Sequence, residues 1–168
     1  PMTGLLNDIQ QSTGAANRLC ELLATEREPG FDPALPRLER HQRDIVFDNV
    51  SLTYPNQETP AVRNVSLTVR HGETVAFVGA NGSGKTSLLS LLPRLFDPDT
   101  PADGSSPGRV LIDGVDVRSV HVGSLRQQIG VVTQETVLFR GTIRANIAFG
   151  RDDATDEAIT DAARRARA

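Results

Sequence analysis

Seventeen of the eighteen basic residues are arginine, and the one lysine, Lys85, closes the run Gly79-Ala80-Asn81-Gly82-Ser83-Gly84-Lys85-Thr86. That spacing fits G-x-x-x-x-G-K-[ST], a loop whose backbone N–H groups cradle phosphates. An ammonium on a flexible stem can curl over such a loop and reach terminal phosphates, whereas a planar guanidinium is too bulky for the cradle. Glycine permits the unusual dihedrals and the close approach. The N–H groups from Gly82 to Thr86, reinforced by a helix N-terminus, face the anion. The Thr86 hydroxyl is the hard oxygen donor that Mg²⁺ prefers. The predicted chemistry is binding of a nucleoside triphosphate with Mg²⁺, on Gly79, Asn81, Gly82, Ser83, Gly84, Lys85, Thr86 and Ser87.

The flanking elements suit that loop. Glu73-Thr74-Val75-Ala76-Phe77-Val78 is a short apolar, β-branched run that predicts a buried strand. Ser87 to Leu92 has the straight-chain apolar character of a helix packed on a sheet. Upstream, Ile45, Phe47, Val50, Leu52 and Tyr54 predict an edge strand broken at Asp48-Asn49. Val65, Leu67 and Val69 alternate, and His71-Gly72 turns into the run at 73–78, so an antiparallel hairpin leads into an α/β core. Pro98 to Gly108 reads as a surface loop, Asp113-Gly114 as the turn of a second hairpin, and Ile129 to Thr133 as another buried strand ending at Gln134.

Residues 3–25 predict an amphipathic helix, with Leu5, Leu6, Ile9, Ala16, Leu19, Leu22 and Leu23 at helical spacing. Glu26 to Arg43 comes next with linker composition, carrying Pro29, Gly30, Pro33 and Pro36. The single cysteine, Cys20, excludes an internal disulfide and reads as a packing residue. A net charge of −3 with no basic stripe argues against a nucleic-acid partner. His41, His71 and His121 lack metal-ligand spacing and read as solvated loop residues. No signal-peptide pattern and no membrane-length apolar run are present, and both ends read as cut.

Beyond the phosphate loop, the sequence resembles the ATP-binding cassette proteins. Tyr54, the only tyrosine, lies upstream by about the interval of their adenine-stacking aromatic. The run from Ile129 through Gln134, Phe139, Gly141, Thr142, Ile143 and Asn146 to Ile147 is similar to their Q-loop and the segment C-terminal to it, in wording of the exporter type. The resemblance covers residues 44–168 and implies the N-terminal half of a nucleotide-binding domain: a truncated P-loop NTPase-like α/β core with an N-terminal antiparallel β subdomain. Residues 1–43 then correspond to the cytoplasmic end of the last membrane-domain helix plus a linker. The implied cofactors are ATP and Mg²⁺. Gln134 would complete the Mg²⁺ shell and sense the γ-phosphate beside Lys85, and Tyr54 would stack on adenine. The implied partners are a membrane domain of the same or a partner chain and a second nucleotide-binding domain, at the cytoplasmic face of a membrane.

The departures matter as well. The chain contains no Leu-Ser-Gly-Gly-Gln signature, no apolar run ending in Asp-Glu, and no switch histidine after one. Val110-Leu111-Ile112-Asp113 has the outline of a Walker B strand, but Gly114 stands where the family has Glu, so Asp113 reads as a turn residue. Without a carboxylate to orient water, these residues are expected to bind ATP, leaving hydrolysis to a larger parent protein that couples it to transport. Two alternatives are another P-loop NTPase, of the nucleotide-kinase or GTPase kind, and a non-catalytic regulatory cassette. With a single lysine the guanine motif Asn-Lys-x-Asp is impossible.

Overall fold

The computed structural model describes residues 13, 16–20, 23, 28–101, 104, 106–133, 135, 137–151 and 153–167. The chain divides into two compact units, Pro1–Gly130 and Val131–Ala168.

The first unit is organised by a four-stranded antiparallel sheet: β1 (Asp44–Leu52), β2 (Val62–Arg70), β3 (Arg109–Ile112) and β4 (Val115–Asp116). The strand order is β2-β1-β3-β4. Strand β1 is therefore interior, not the edge expected from its sequence. Its second side is taken by β3, from Ile45↔Ile112 to Asp48↔Arg109, a pairing between residues more than sixty apart. The expected break is present: the register with β2 shifts between Phe47 and Val50, and Asn49 has φ 49°. An irregularity of this kind changes the phase of the pleat. Phe47 before it and Val50 and Leu52 after it accordingly all face the core.

The turn between β3 and β4 is as expected, with Asp113 at φ 54° and Gly114 at φ 87°, the left-handed pair of a type I′ hairpin. Helix α1 (Lys85–Ser90) follows the glycine loop at 79–84, and a 3₁₀ turn (Val117–Ser119) leads to α2 (Val122–Arg126). The core joins Phe47, Val50 and Leu52 to Val110 and Ile112, to Leu88 and Leu91 at α1, and to Val120, Val122 and Leu125 at α2. Each large aliphatic buried this way contributes about 1.5–3 kcal/mol.

Neither of the two expected buried strands forms a ladder. Residues 73–78 and 129–133 are outside every strand, and Val78 is 90% and Val132 100% exposed. An apolar, β-branched run favours extended backbone, but a strand also needs a neighbour for its N–H and C=O groups. Among the described residues, no strand pairs with either run.

Residues 28–43 are also more than a linker. They lie as an ordered strap on α2. The carbonyls of Pro36 and Gly30 accept from the His121 and Val122 N–H groups at 2.8 Å each, satisfying donors at the helix start that have no intrahelical partner. The Leu38 N–H donates to Ser124 Oγ and the His41 N–H to Gln128 Oε1, both at 2.9 Å. Arg126 pairs with Glu28 and donates to the Pro93 carbonyl at 2.8 Å. At the far end, the Asp113 carboxylate accepts from the N–H groups of Gln42, Arg43 and Asp44 at 2.7, 2.8 and 2.9 Å, with His41 Nδ1 at 3.0 Å.

His41 and His121 are thus half-buried, not solvated as expected. His41 also lies 5.1 Å from His71, and His121 meets Phe31 edge-on at 5.8 Å. Cys20 is exposed, so it is not the packing residue expected. Of the amphipathic helix expected over 3–25, residues 13, 16–20 and 23 are helical, and the rest lies outside the described residues.

The second unit contains α3 (Ile143–Ile147) and α4 (Asp156–Arg165). Thr142 and Thr155 cap them, accepting from the Ala145 and Ala158 N–H groups at 3.1 and 3.3 Å. Helix α4 carries Asp156 and Glu157 in its first turn and Arg164 and Arg165 in its last, the arrangement its macrodipole favours. Among the described residues no helix is long and apolar enough to cross a membrane.

Candidate nucleotide site

The loop at 79–84 is shaped by three contacts of Lys85. Its ammonium donates to the carbonyls of Gly79 and Ala80 at 2.9 and 2.8 Å and to Ser83 Oγ at 3.3 Å. The side chain therefore curls back over the loop, using all three ammonium donors. Gly84 is the N-cap of α1 at φ 84°. A Cβ there would lie 2.1 Å from the Ala61 carbonyl oxygen, so the start of β2 presses directly on the loop. The first helical bond runs from the Leu88 N–H to the Gly84 carbonyl at 2.8 Å. The N–H groups of Lys85, Thr86 and Ser87 consequently have no intrahelical partner.

Asn81, Gly82 and Thr86 are exposed, and Gly79 begins the loop. Ser87 differs: it is buried, and its Oγ accepts from the Tyr54 hydroxyl at 3.0 Å. Its hydroxyl oxygen accepts from Tyr54, and its N–H, without an intrahelical partner, can face a phosphate. Tyr54 itself is half-buried, with its ring edge-on to Phe96 at 5.0 Å and 89°. Beside the loop an open cleft of about 520 Å³ is lined by Val62, Val65, Phe77, Val78, Lys85 and Leu88 among others. The unpaired run ending at Val78 forms one part of its apolar wall, with Val62, Val65 and Leu88. Gln134 lies outside the described residues. Among those described, no cluster of three or more His, Cys, Asp or Glu residues could hold a metal. A hydroxyl at Thr86 together with phosphate oxygens is the donor set that suits Mg²⁺, which keeps much of its own water.

Asp113 holds no reactive position. Desolvation pushes its carboxyl up, but the N–H groups of Gln42, Asp44 and Arg43, with His41 beside them, more than offset this and hold it well below the usual carboxylate range. It is the clasp of the strap.

In the second unit, Phe139 and Phe149 stack at 4.1 Å and 17°. The Asn146 side chain accepts from the Phe139 N–H at 2.8 Å and donates to its carbonyl at 3.0 Å, closing the loop ahead of α3. Val137, Leu138, Phe139 and Ile143 are all at least half exposed.

The family model described as ABC transporter matches residues 62–168. The chain is 41% identical over 167 residues to the ATP-dependent lipid A-core flippase of Syntrophus aciditrophicus (strain SB), covering 99% of this chain and 26% of that protein. It is 40% identical over 171 residues to a putative multidrug export ATP-binding/permease protein of Bacillus subtilis (strain 168), covering 100% of this chain and 28% of that protein. The structure of a bacterial Atm1-family ABC exporter with ATP bound superposes with a TM-score of 0.79 at 36% identity, over 95% of this chain and 26% of the other. The chain spans about a quarter of the length of the curated relatives it matches.

Proposed function

The chain belongs to the ABC transporter family, and we propose on that basis that it is the ATP-binding portion of an exporter whose whole protein couples ATP hydrolysis to transport across a membrane. The observation that carries this reading is the Lys85 ammonium curled over the loop at 79–84, held by the carbonyls of Gly79 and Ala80. A terminal phosphate offers the same donors a charged acceptor in place of a neutral one. The N–H groups of Gly82 to Ser87 bind the phosphate oxygens, and Tyr54 offers its ring to the adenine base. Mg²⁺, when bound, neutralises charge on the phosphates; Thr86 would hold it, with Gln134 as the second donor. Residues 1–43 would join the domain to the membrane helices, and a second nucleotide-binding domain would complete the site at the cytoplasmic face.

Within the stretch from Gln134 to Ile147, the exposed Val137, Leu138 and Phe139 are the proposed docking surface for the membrane domain. Three exposed apolar residues in one loop are more than solubility favours. The residues that would orient an attacking water are not in this sequence, so the 168-residue chain by itself binds ATP without turning it over. Titration of the intact protein with a fluorescent ATP analogue tests the reading. Binding that is lost in Lys85→Ala is expected, and equal affinity in the two proteins refutes it.

A further inference from the structure

Tyr54 is held from three directions by residues C-terminal to the phosphate loop. The first is the hydrogen bond from its hydroxyl to Ser87 Oγ at 3.0 Å, and the second the edge-on contact with the Phe96 ring. The third acts through the backbone. The Asp99 carboxylate accepts from the Thr53 N–H at 2.9 Å and from the Thr53 hydroxyl at 2.7 Å, and the Asp99 N–H returns to the Ser51 carbonyl at 2.8 Å. A bidentate clamp on the residue just before Tyr54 fixes the backbone from which the ring projects. Pro98, between the two contact residues, is buried, and Arg94 is paired with Asp97 at 2.9 Å, so the segment 96–99 is itself anchored.

We propose that Phe96 and Asp99, with Ser87, are positioning residues for base recognition, holding the Tyr54 ring in place before nucleotide arrives. This rests on the reading of Tyr54 as the adenine contact. A ring at the end of a strand is free to change rotamer, and a ligand that stacks on it must first order it. Three contacts that order it beforehand remove that cost from binding. Phe96 and Asp99 act on the ring and not on the loop at 79–84, so they bear on the base and not on the phosphates, whereas Ser87 also lies beside the loop.

The test compares the dissociation constants of MgATP and magnesium tripolyphosphate on the intact protein. Tyr54→Ala is the reference, expected to weaken ATP by roughly 5- to 150-fold, the range of base–aromatic stacking, and to leave tripolyphosphate unchanged. Phe96→Leu and Asp99→Ala are expected to weaken ATP by about 2- to 10-fold, the scale of one edge-to-face contact, again without effect on tripolyphosphate. Asp99→Asn and Thr53→Ser keep partners for both hydrogen bonds and the local fold, and restore ATP binding. In a Tyr54→Ala background, Phe96→Leu has no further effect on the ratio of the two constants. If Tyr54→Ala behaves as expected while Phe96→Leu and Asp99→Ala leave the ratio unchanged, the positioning role is wrong and the Tyr54 contact stands. If Asp99→Ala weakens both ligands alike, segment 96–99 is merely structural and the proposal falls. If Tyr54→Ala itself weakens both alike, the adenine contact and the positioning role fall together.

Discussion

Replacing Gly84 with alanine separates two costs that glycine avoids in the loop at 79–84. At φ 84° an alanine pays for the left-handed backbone, about 1–2 kcal/mol. Its Cβ would also stand 2.1 Å from the Ala61 carbonyl oxygen and 3.2 Å from the Ala61 carbonyl carbon. That carbonyl cannot retreat freely. The Ala61 N–H is bonded to the Leu52 carbonyl at 2.8 Å, and Val62, the next residue, is buried at the start of β2. Restoring an ordinary contact therefore needs a movement of about 1 Å, which overpacking data put at a further ~1–3 kcal/mol. Gly72, at φ 77° with open space around it, isolates the backbone cost alone. In urea unfolding followed by circular dichroism, Gly72→Ala should lose about 1–2 kcal/mol and Gly84→Ala about 2–5 kcal/mol. The displaced loop should weaken ATP binding by up to ~100-fold in Gly84→Ala, the scale of a 1 Å misplacement, and leave Gly72→Ala near wild type. Equal losses of stability in the two variants, with ATP affinity unchanged in Gly84→Ala, would refute the argument that β2 presses on the loop.

Lys85→Arg should bind ATP as poorly as Lys85→Ala, because a rigid planar fork cannot reproduce three bonds converging on one nitrogen; wild-type affinity in the arginine variant would show the steric reasoning to be wrong. Asp113 ionises more readily in the fold than in the unfolded chain, so its contribution to stability is complete above the ordinary carboxylate value near ~4 and is lost as pH falls through the lower folded value. The stability difference between wild type and Asp113→Asn, measured in urea from pH 7 downwards, should be flat above about pH 5 and shrink below about pH 4; a difference that widens in acid contradicts the clasp. Phe139 is 50% exposed, so Phe139→Ala should cost well under the ~3–5 kcal/mol of a core phenylalanine while uncoupling ATP hydrolysis from transport in the intact protein. A core-sized loss of stability would end its assignment to the docking surface.

Local chemistry made the conformation of the glycine loop at 79–84 and of the Asp113-Gly114 turn legible in the sequence. Their residue types are dictated by backbone conformation within a few positions: glycine at φ 84°, the αL pair at 113 and 114, and one ammonium that must reach back five or six residues. The alternation of Val65, Leu67 and Val69 and the break at Asp48-Asn49 were readable for the same reason. Partnerships across long sequence separation were not. The strand β1 is interior only because β3 returns to it, and proline and charge in residues 28–43 look the same whether the segment is solvated or bonded to α2 some ninety residues away. The runs at 73–78 and 129–133 have the composition of buried strands, yet whether such a run is laddered depends on a neighbour that its own residues do not specify. Tyr54 shows both sides. The sequence picks it out as the sole tyrosine upstream of the loop, while the tertiary structure alone joins it to Ser87, Phe96 and, through Thr53, to Asp99. Side-chain chemistry comes with residue identity, and its orientation comes from contacts that only folding creates.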